Sequence, residues 1–233
     1  FDITNGTVQF VYAGTLTNDF YVFAEYDSLS GNPFFAIQNL PDGYGIDYAV
    51  HNPATDPCLA SRYDAEDPSR RGLSRTELLR HLELDLDLER PLVGLLVDAG
   101  RGFDAELVLD ALPELGGIDA TFILAGTLGA SDRARFDAER ARRPDHLAAV
   151  DLPDDAALRR LFAAVDLAAL PLRPGSYGLP VLVASRYGAV PVAPAVGAVG
   201  ELVVDADAAL VTGSGFVFDE LDAVGLEIGR AHV

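Results

Sequence analysis

The sequence predicts an α/β protein with a Rossmann-like, doubly wound parallel sheet, preceded by a short β-rich segment. Two observations support this prediction. From Pro91 onward, short continuous apolar runs alternate with amphipathic stretches, and such runs are typical of strands buried on both faces of a parallel sheet. Before about residue 43, aromatic and β-branched runs are separated by Gly, Asn, Asp and Pro, which is a strand-and-turn pattern.

The β-rich segment is expected to end near Asp42 and Gly43, because residues 1–43 contain no arginine and the rest is rich in Ala, Leu, Asp and Arg. Its candidate strands are residues 8–12, 20–26 and 34–37. We expect residues 1–43 to be a segment of unknown origin and residues 44–227 to be one domain. The sequence has no methionine. We therefore expect a piece of a longer protein. Residues 228–233 are set aside separately, as a possible artefactual tail.

The main domain is predicted to alternate strands and helices, which implies right-handed crossovers in a parallel sheet. The predicted strands are residues 91–97, 120–125, 147–152, 167–172 and 190–195. The predicted helices are residues 71–84, 105–115, 131–143, 154–165 and 179–187, the first with Leu73, Leu78, Leu79 and Leu82 near one face. Ser131 and Asp154 are predicted N-caps, and Gly188 follows the last helix as a terminating glycine.

Composition disfavours several classes of function. The formal charge is −19, and an acidic surface repels nucleic-acid phosphates and anionic lipid. No apolar run reaches the roughly 18 residues of a membrane span. The single Cys58 and the scattered histidines suit neither an internal disulfide nor a metal site. We expect a cytoplasmic protein without a metal or other cofactor.

Four segments, in order, resemble the bacterial glycogen (starch) synthases. They are residues 45–63 (GIDYAVHNPATDPCLASRY), 107–113 (LVLDALP), 186–192 (RYGAVPV) and 213–220 (GSGFVFDE). The resemblance covers about residues 43 to 225. It implies the C-terminal, donor-binding half of a GT-B glycosyltransferase. Such enzymes move glucose from ADP-glucose or UDP-glucose to an α-1,4-glucan without a required metal, so the implied partners are a nucleotide sugar and an α-glucan.

The resemblance also implies site residues in the loops that follow the strands. Arg101 falls in place of a lysine that contacts the donor diphosphate, and Gly102 follows it. Arg173, Gly178 and Leu179 match a second loop, and Gly197 matches a phosphate-binding loop. Arg101 and Arg173 are the candidates for a catalytic role, because arginine can pair bidentately with phosphate.

Several polar positions of the family motifs differ in this sequence. Asp98 lies near the place of an arginine, and the glutamate of the second loop falls on Gly175. Three hypotheses remain open at this stage. The chain is a catalytically impaired glucosyltransferase domain, a non-catalytic module that binds glucan or a protein partner, or a truncated fragment with no function of its own. The sequence leaves the nucleotide preference and the oligomeric state undetermined.

Overall fold

A computed structural model describes residues 3–4, 7–8, 21–26, 33–38, 51–176, 178–206 and 213–218. The first four strands form an antiparallel sheet in the order β1-β2-β3-β4. They are β1 (Ile3–Thr4), β2 (Thr7–Val8), β3 (Tyr21–Tyr26) and β4 (Pro33–Gln38). The predicted strands 20–26 and 34–37 correspond to β3 and β4. The predicted strand 8–12 shares only Val8 with β2, and its other residues lie outside the described ones.

The main sheet has six parallel strands. They are β5 (Leu92–Leu96), β6 (Thr121–Ala125), β7 (Leu147–Val150), β8 (Leu167–Ala169), β9 (Val190–Pro194) and β10 (Phe216–Phe218). Their spatial order is β10-β9-β8-β5-β6-β7. The chain therefore builds outward from β5 in one direction, returns to β8 beside β5, and continues in the other direction.

Six α-helices accompany this sheet in the described part of the chain. They are α1 (Arg71–His81), α2 (Ala105–Leu115), α3 (Ala130–Arg142), α4 (Asp155–Ala164), α5 (Leu179–Arg186) and the short α6 (Val199–Leu202). Two 3₁₀ turns, Pro68–Arg70 and Ala99–Arg101, complete the described helical structure. The helix predicted over 105–115 has those bounds, and the other predicted helices differ by one to three residues at an end.

The sheet is buried between two helix layers. Alternate strand residues pack on opposite faces: Leu92 and Leu96 of β5 face one hydrophobic cluster, and Leu95 faces the other. The first cluster includes residues of α1, α4 and α5, and the second includes residues of α2 and α3. Burial on both faces explains why these strands are continuous apolar runs in the sequence.

The helix ends confirm two of the predicted signals and correct a third. Asp154 caps α4, since its Oδ1 accepts from the N–H of Ala157 at 2.7 Å. Gly188 follows α5 with φ +82°, the left-handed conformation that glycine adopts readily. Ser131 is not an N-cap. The helix begins one residue earlier, at Ala130, with Gly129 in the cap position and no side-chain hydrogen bond there.

The apolar face predicted for α1 is also only partly correct. Leu79 is buried, and Leu78 and Leu82 pack against the first cluster, but Leu73 is 54% exposed. The buried face of α1 includes Arg75 instead, which pairs with Asp166. Within the described parts of the chain, none of the helices has the length and apolar character needed to cross a membrane.

Candidate functional site

The strand order reverses between β5 and β8. In open α/β sheets, ligands bind beyond the carboxyl ends of the strands at such a reversal, because the loops that follow the two strands diverge to opposite faces. Here these loops are residues 98–104 and 170–176, which we call the switch-point loops. They contain Arg101, Gly102 and Arg173, three of the candidates predicted from the sequence.

Hydrogen bonds join the two switch-point loops directly. The N–H of Arg173 donates to the carbonyl of Gly102 at 3.0 Å, and the N–H of Asp104 donates to the carbonyl of Pro171 at 2.8 Å. The hydroxyl of Ser176 donates to the same Gly102 carbonyl at 3.2 Å. Because the backbones bond to each other, the loops hold Arg101 and Arg173 on one connected surface.

Arg101 is held by two carboxylates. Its Nη1 donates to Asp155 Oδ1 at 2.5 Å, and its Nε lies 3.3 Å from Asp98 Oδ2. The arginine side chain is 27% exposed, Asp98 is 19% exposed and Asp155 is 69% exposed. The cation therefore has one partner from its own loop and one exposed partner from the first turn of α4.

Arg173 is paired in a similar way on the other loop. Its Nε lies 3.3 Å from Asp104 Oδ2, and the arginine side chain is 52% exposed. Asp104 has a second role, because its Oδ1 accepts from the N–H groups of Glu106 and Leu107 and so caps α2. The carboxylate of Asp104 thus fixes both the start of α2 and the guanidinium of Arg173 on the other switch-point loop.

Gly102 is required by its close contact with the opposite loop. Its φ is +84°, and an added Cβ would lie 2.6 Å from Ser176 Oγ. A side chain at this position would separate the loops or strain the backbone.

The remaining predicted site residues lie at the adjoining helix starts. Gly178 is the N-cap of α5, no side chain caps that end, and Leu179 is its first helical residue. An added Cβ on Gly178 would lie 2.4 Å from Leu202 Cδ1, so this glycine permits close packing against α6. Gly197 follows β9 with φ +53°, and no other atom lies within 4 Å of the Cβ it lacks.

Gly175, where the family has a glutamate, has φ +87° and open space around it. An L-residue in this conformation costs roughly 1–2 kcal/mol. A side chain at this position would therefore strain the present backbone conformation, although nothing obstructs it sterically.

A second group of polar side chains is deeply buried, and it includes Arg159, one helical turn after Asp155 on α4. Asp56 and Tyr187 are fully buried, and the side chain of Arg159 is 8% exposed. Asp56 Oδ2 accepts from Arg159 Nε at 2.8 Å and from the Tyr187 hydroxyl at 2.5 Å. Its Oδ1 accepts from the N–H of Cys58 at 2.8 Å. We call Asp56, Arg159 and Tyr187 the buried polar cluster.

Neighbouring bonds extend the buried polar cluster toward α1. The Tyr63 hydroxyl donates to the carbonyl of Tyr187 at 2.7 Å, and Arg71 Nε donates to the same carbonyl at 3.2 Å. Segment 52–71 is thereby fastened to α4 and α5. No local pattern in the sequence indicates this cluster, because Asp56 and Arg159 are 103 positions apart. The guanidinium of Arg159 is therefore used in the interior.

The surroundings shift the ionisation of these groups. Burial alone would raise the pKa of Asp56, but hydrogen bonds from Arg159, Tyr187 and the Cys58 N–H together hold that pKa below its usual value. Burial raises the pKa of Tyr63 to about 12. The pKa of Tyr187 is also raised, first by burial and then by its hydrogen bond to Asp56. Asp56 is therefore ionised and the two tyrosines are neutral at ordinary pH.

Comparison with known proteins gives a consistent set of relatives. A glycogen synthase of Streptococcus equi subsp. equi (strain 4047) is 32% identical over 184 residues, which are 78% of this chain and 38% of the relative. A glycogen synthase of Anaeromyxobacter dehalogenans (strain 2CP-1 / ATCC BAA-258) is 33% identical over 176 residues, 76% of this chain and 37% of the relative. This chain thus spans about two fifths of the curated relatives it matches. No protein-family model matches it.

Solved structures give the same assignment of the fold. The catalytic domain of starch synthase IV from Arabidopsis thaliana, bound to ADP and acarbose, matches with a TM-score of 0.69 and 26% identity, over 80% of this chain and 39% of that one. An Anabaena protein in complex with UDP and glucose matches with a TM-score of 0.51 at 20% identity, which shows the fold alone. The predicted Rossmann-like fold class and the predicted resemblance to glycogen and starch synthases are confirmed.

Proposed function

We propose that this chain is the donor-binding part of a glucosyltransferase that resembles glycogen synthase, and that its switch-point loops bind the diphosphate of ADP-glucose or UDP-glucose. The acceptor in this proposal is an α-1,4-glucan. The supporting observation is that Arg101 and Arg173 lie on two hydrogen-bonded loops at the reversal of strand order. The similarity to glycogen synthases supports the identity of the donor.

Each proposed residue contributes by charge or by backbone position. The guanidinium groups of Arg101 and Arg173 donate hydrogen bonds to diphosphate oxygens. They also compensate the negative charge that develops on the diphosphate as its bond to the sugar breaks. Gly178 and Leu179 open α5 and offer their backbone N–H groups, since Pro180 has none and the Val181 N–H donates to the Gly178 carbonyl. Gly197 gives a second point of backbone approach. In this proposal the two arginines supply the positive charge and no metal takes part.

The proposal includes reduced catalytic capacity. Gly175 provides no carboxylate where the family motif has a glutamate, and Asp98 places a negative charge beside Arg101. Donor binding depends on the two arginines, whereas transfer also depends on the missing carboxylate. We therefore expect nucleotide binding to survive better than glucosyl transfer.

Calorimetric titration with ADP, UDP and ADP-glucose tests donor binding. We expect saturable binding that Arg101→Ala and Arg173→Ala each weaken about tenfold, the loss typical of one charge-assisted hydrogen bond. Arg135→Ala is the matched control, because Arg135 forms an exposed pair with Asp110 between α3 and α2. A correctly folded chain that binds none of these ligands would contradict the proposal.

A non-catalytic module that binds glucan is the second candidate. The backbone of Gly175 favours it, because φ +87° disfavours any side chain that could act as the carboxylate. This candidate predicts that the chain is retarded in a native gel containing glycogen, equally in wild type and in Arg101→Ala, and that no labelled glucose passes to glycogen. Transfer above the level of a chain-free blank would exclude it.

A further inference from the structure

We infer that Asp155 and Asp104 compete with the phosphate groups of the donor for the two arginines. They thereby set the affinity and the salt dependence of donor binding. This inference rests on the proposed function, and it concerns how that same site is tuned. It starts from the observation that both candidate arginines already have carboxylate partners. A carboxylate and a phosphate oxygen use the same N–H donors of a guanidinium group.

Exposure distinguishes Asp155 from Asp98 as the partners of Arg101. The side chain of Asp155 is 69% exposed, so water can solvate it when Arg101 turns to another anion. Asp154, and not Asp155, supplies the hydrogen bond that caps α4. Release of Asp155 therefore leaves the helix end intact. Asp98 is 19% exposed and also accepts from the Gly100 N–H, so it remains with its own loop.

The second pair offers an independent substitution. Asp104 caps α2 through Oδ1 and holds Arg173 through Oδ2. Asp104 is only 21% exposed and stays with its helix, so in this pair the exchange depends on Arg173, which is 52% exposed and can turn to another anion. Asparagine caps a helix about as well as aspartate, so Asp104→Asn removes the charge facing Arg173 while it keeps the cap. Asp155→Asn likewise keeps the side-chain size at the first position of α4. Each change frees an arginine from one carboxylate partner and leaves the arginine itself in place.

General charge effects must be separated from this exchange, because the chain has a net charge of −19. Loss of any carboxylate makes the whole protein slightly more attractive to anions. Asp145→Asn is the matched control. Asp145 is exposed and precedes β7, so it lies at the amino ends of the strands, whereas the switch-point loops follow the carboxyl ends.

The test is calorimetric titration of wild type, Asp155→Asn, Asp104→Asn and Asp145→Asn with pyrophosphate and with ADP at low salt. We expect Asp155→Asn and Asp104→Asn to bind both ligands about three- to fivefold more tightly than wild type and Asp145→Asn, the range of an exposed ion pair. The gain should shrink as salt is added. It should vanish for Asp155→Asn when Arg101→Ala is combined with it.

The outcomes distinguish this inference from the proposed function. If wild type binds ADP and neither asparagine variant exceeds Asp145→Asn, the competition is refuted and the donor site stands. If the variants gain affinity for pyrophosphate while no form binds ADP, the competition stands and the donor assignment falls. If no form binds either ligand, both are refuted.

Discussion

Two of the arginine–aspartate systems in the described part of the chain differ chiefly in burial. In the buried polar cluster, Asp56 is fully buried and Arg159 is almost so, and a tyrosine hydroxyl completes the bonding. At the switch-point loops, Asp155 and Arg173 are more than half exposed. Removing one partner from a buried pair leaves an uncompensated charge in the interior, whereas water replaces a lost partner at the surface. The same residue types therefore fasten the fold in one place and remain available to a ligand in the other.

The largest effect is expected in the buried polar cluster. Arg159→Met should lower the free energy of unfolding by about 3–5 kcal/mol, because Asp56 keeps its charge and loses the guanidinium. Urea denaturation followed by circular dichroism measures this change. Arg135→Ala, which breaks an exposed pair, should lower it by less than about 1 kcal/mol. Equal losses in the two variants would remove the distinction between the systems.

Alkaline pH probes the same cluster from its tyrosines. Unfolded tyrosine ionises near pH 10, but in the folded chain the pKa of Tyr63 is about 12. Over the pH interval between these two pKa values, Tyr63 therefore keeps its proton in the folded state and loses it in the unfolded state. The stabilisation is fully present below about pH 10 and is lost as the pH rises toward about 12, by roughly 2 kcal/mol. Urea denaturation across this range should show the loss.

Tyr63→Phe is the control for the pH experiment. The variant has no hydroxyl to ionise at this position, so its free energy of unfolding should fall less steeply with pH than that of wild type. Its stability at neutral pH is measured separately, because the hydrogen bond to the Tyr187 carbonyl is also removed. Identical slopes in the two proteins would show that Tyr63 titrates normally.

A smaller effect on stability is expected at Gly175, which lies in one of the switch-point loops. Gly175→Glu should lower the free energy of unfolding by about 1 kcal/mol, because φ +87° is unfavourable for an L-residue although no atom obstructs the Cβ. Gly197→Glu is a comparison at another open glycine with positive φ. Thermal unfolding measures both. A stabilising effect of Gly175→Glu would show that the loop readily adopts another backbone conformation.

The smallest effect on stability is expected at the switch-point loops themselves. Asp155→Ala should change the free energy of unfolding by less than about 1 kcal/mol, because Asp155 is 69% exposed, Arg101 keeps Asp98 as a partner, and Asp154 still caps α4. Chemical denaturation beside Asp56→Ala gives the contrast. A loss comparable with that of Asp56→Ala would mean that Arg101 is a structural residue and is not available to a ligand.

The sequence predicted the layers of the fold more fully than the contacts of the site. Strands buried on both faces are continuous apolar runs, so β5 and β6 were located to within one residue at each end. Helix starts depend on single residues, and the prediction of Ser131 as an N-cap was wrong because the chain enters the helix at Gly129 without a side-chain cap. The strand after residue 213 was not predicted, although its segment belongs to the family resemblance.

The pairing partners were beyond prediction for a different reason. Arg101 meets Asp155 from a position 54 residues away, and Asp56 meets Arg159 from 103 residues away. Such pairs depend on strand order and on the packing of helices, which local patterns do not specify. The resemblance indicated which loops to inspect, and only the fold showed that acidic side chains already face the arginines.

The most direct test of the account is the affinity for ADP of Arg101→Ala compared with that of Arg135→Ala, measured by calorimetry on chains shown to be folded. Both changes remove an arginine that pairs with an aspartate more than half exposed, and only Arg101 lies at the reversal of strand order. We predict about tenfold weaker binding for Arg101→Ala and wild-type binding for Arg135→Ala. Equal affinities in the two variants would contradict the assignment of the donor diphosphate to the switch-point loops.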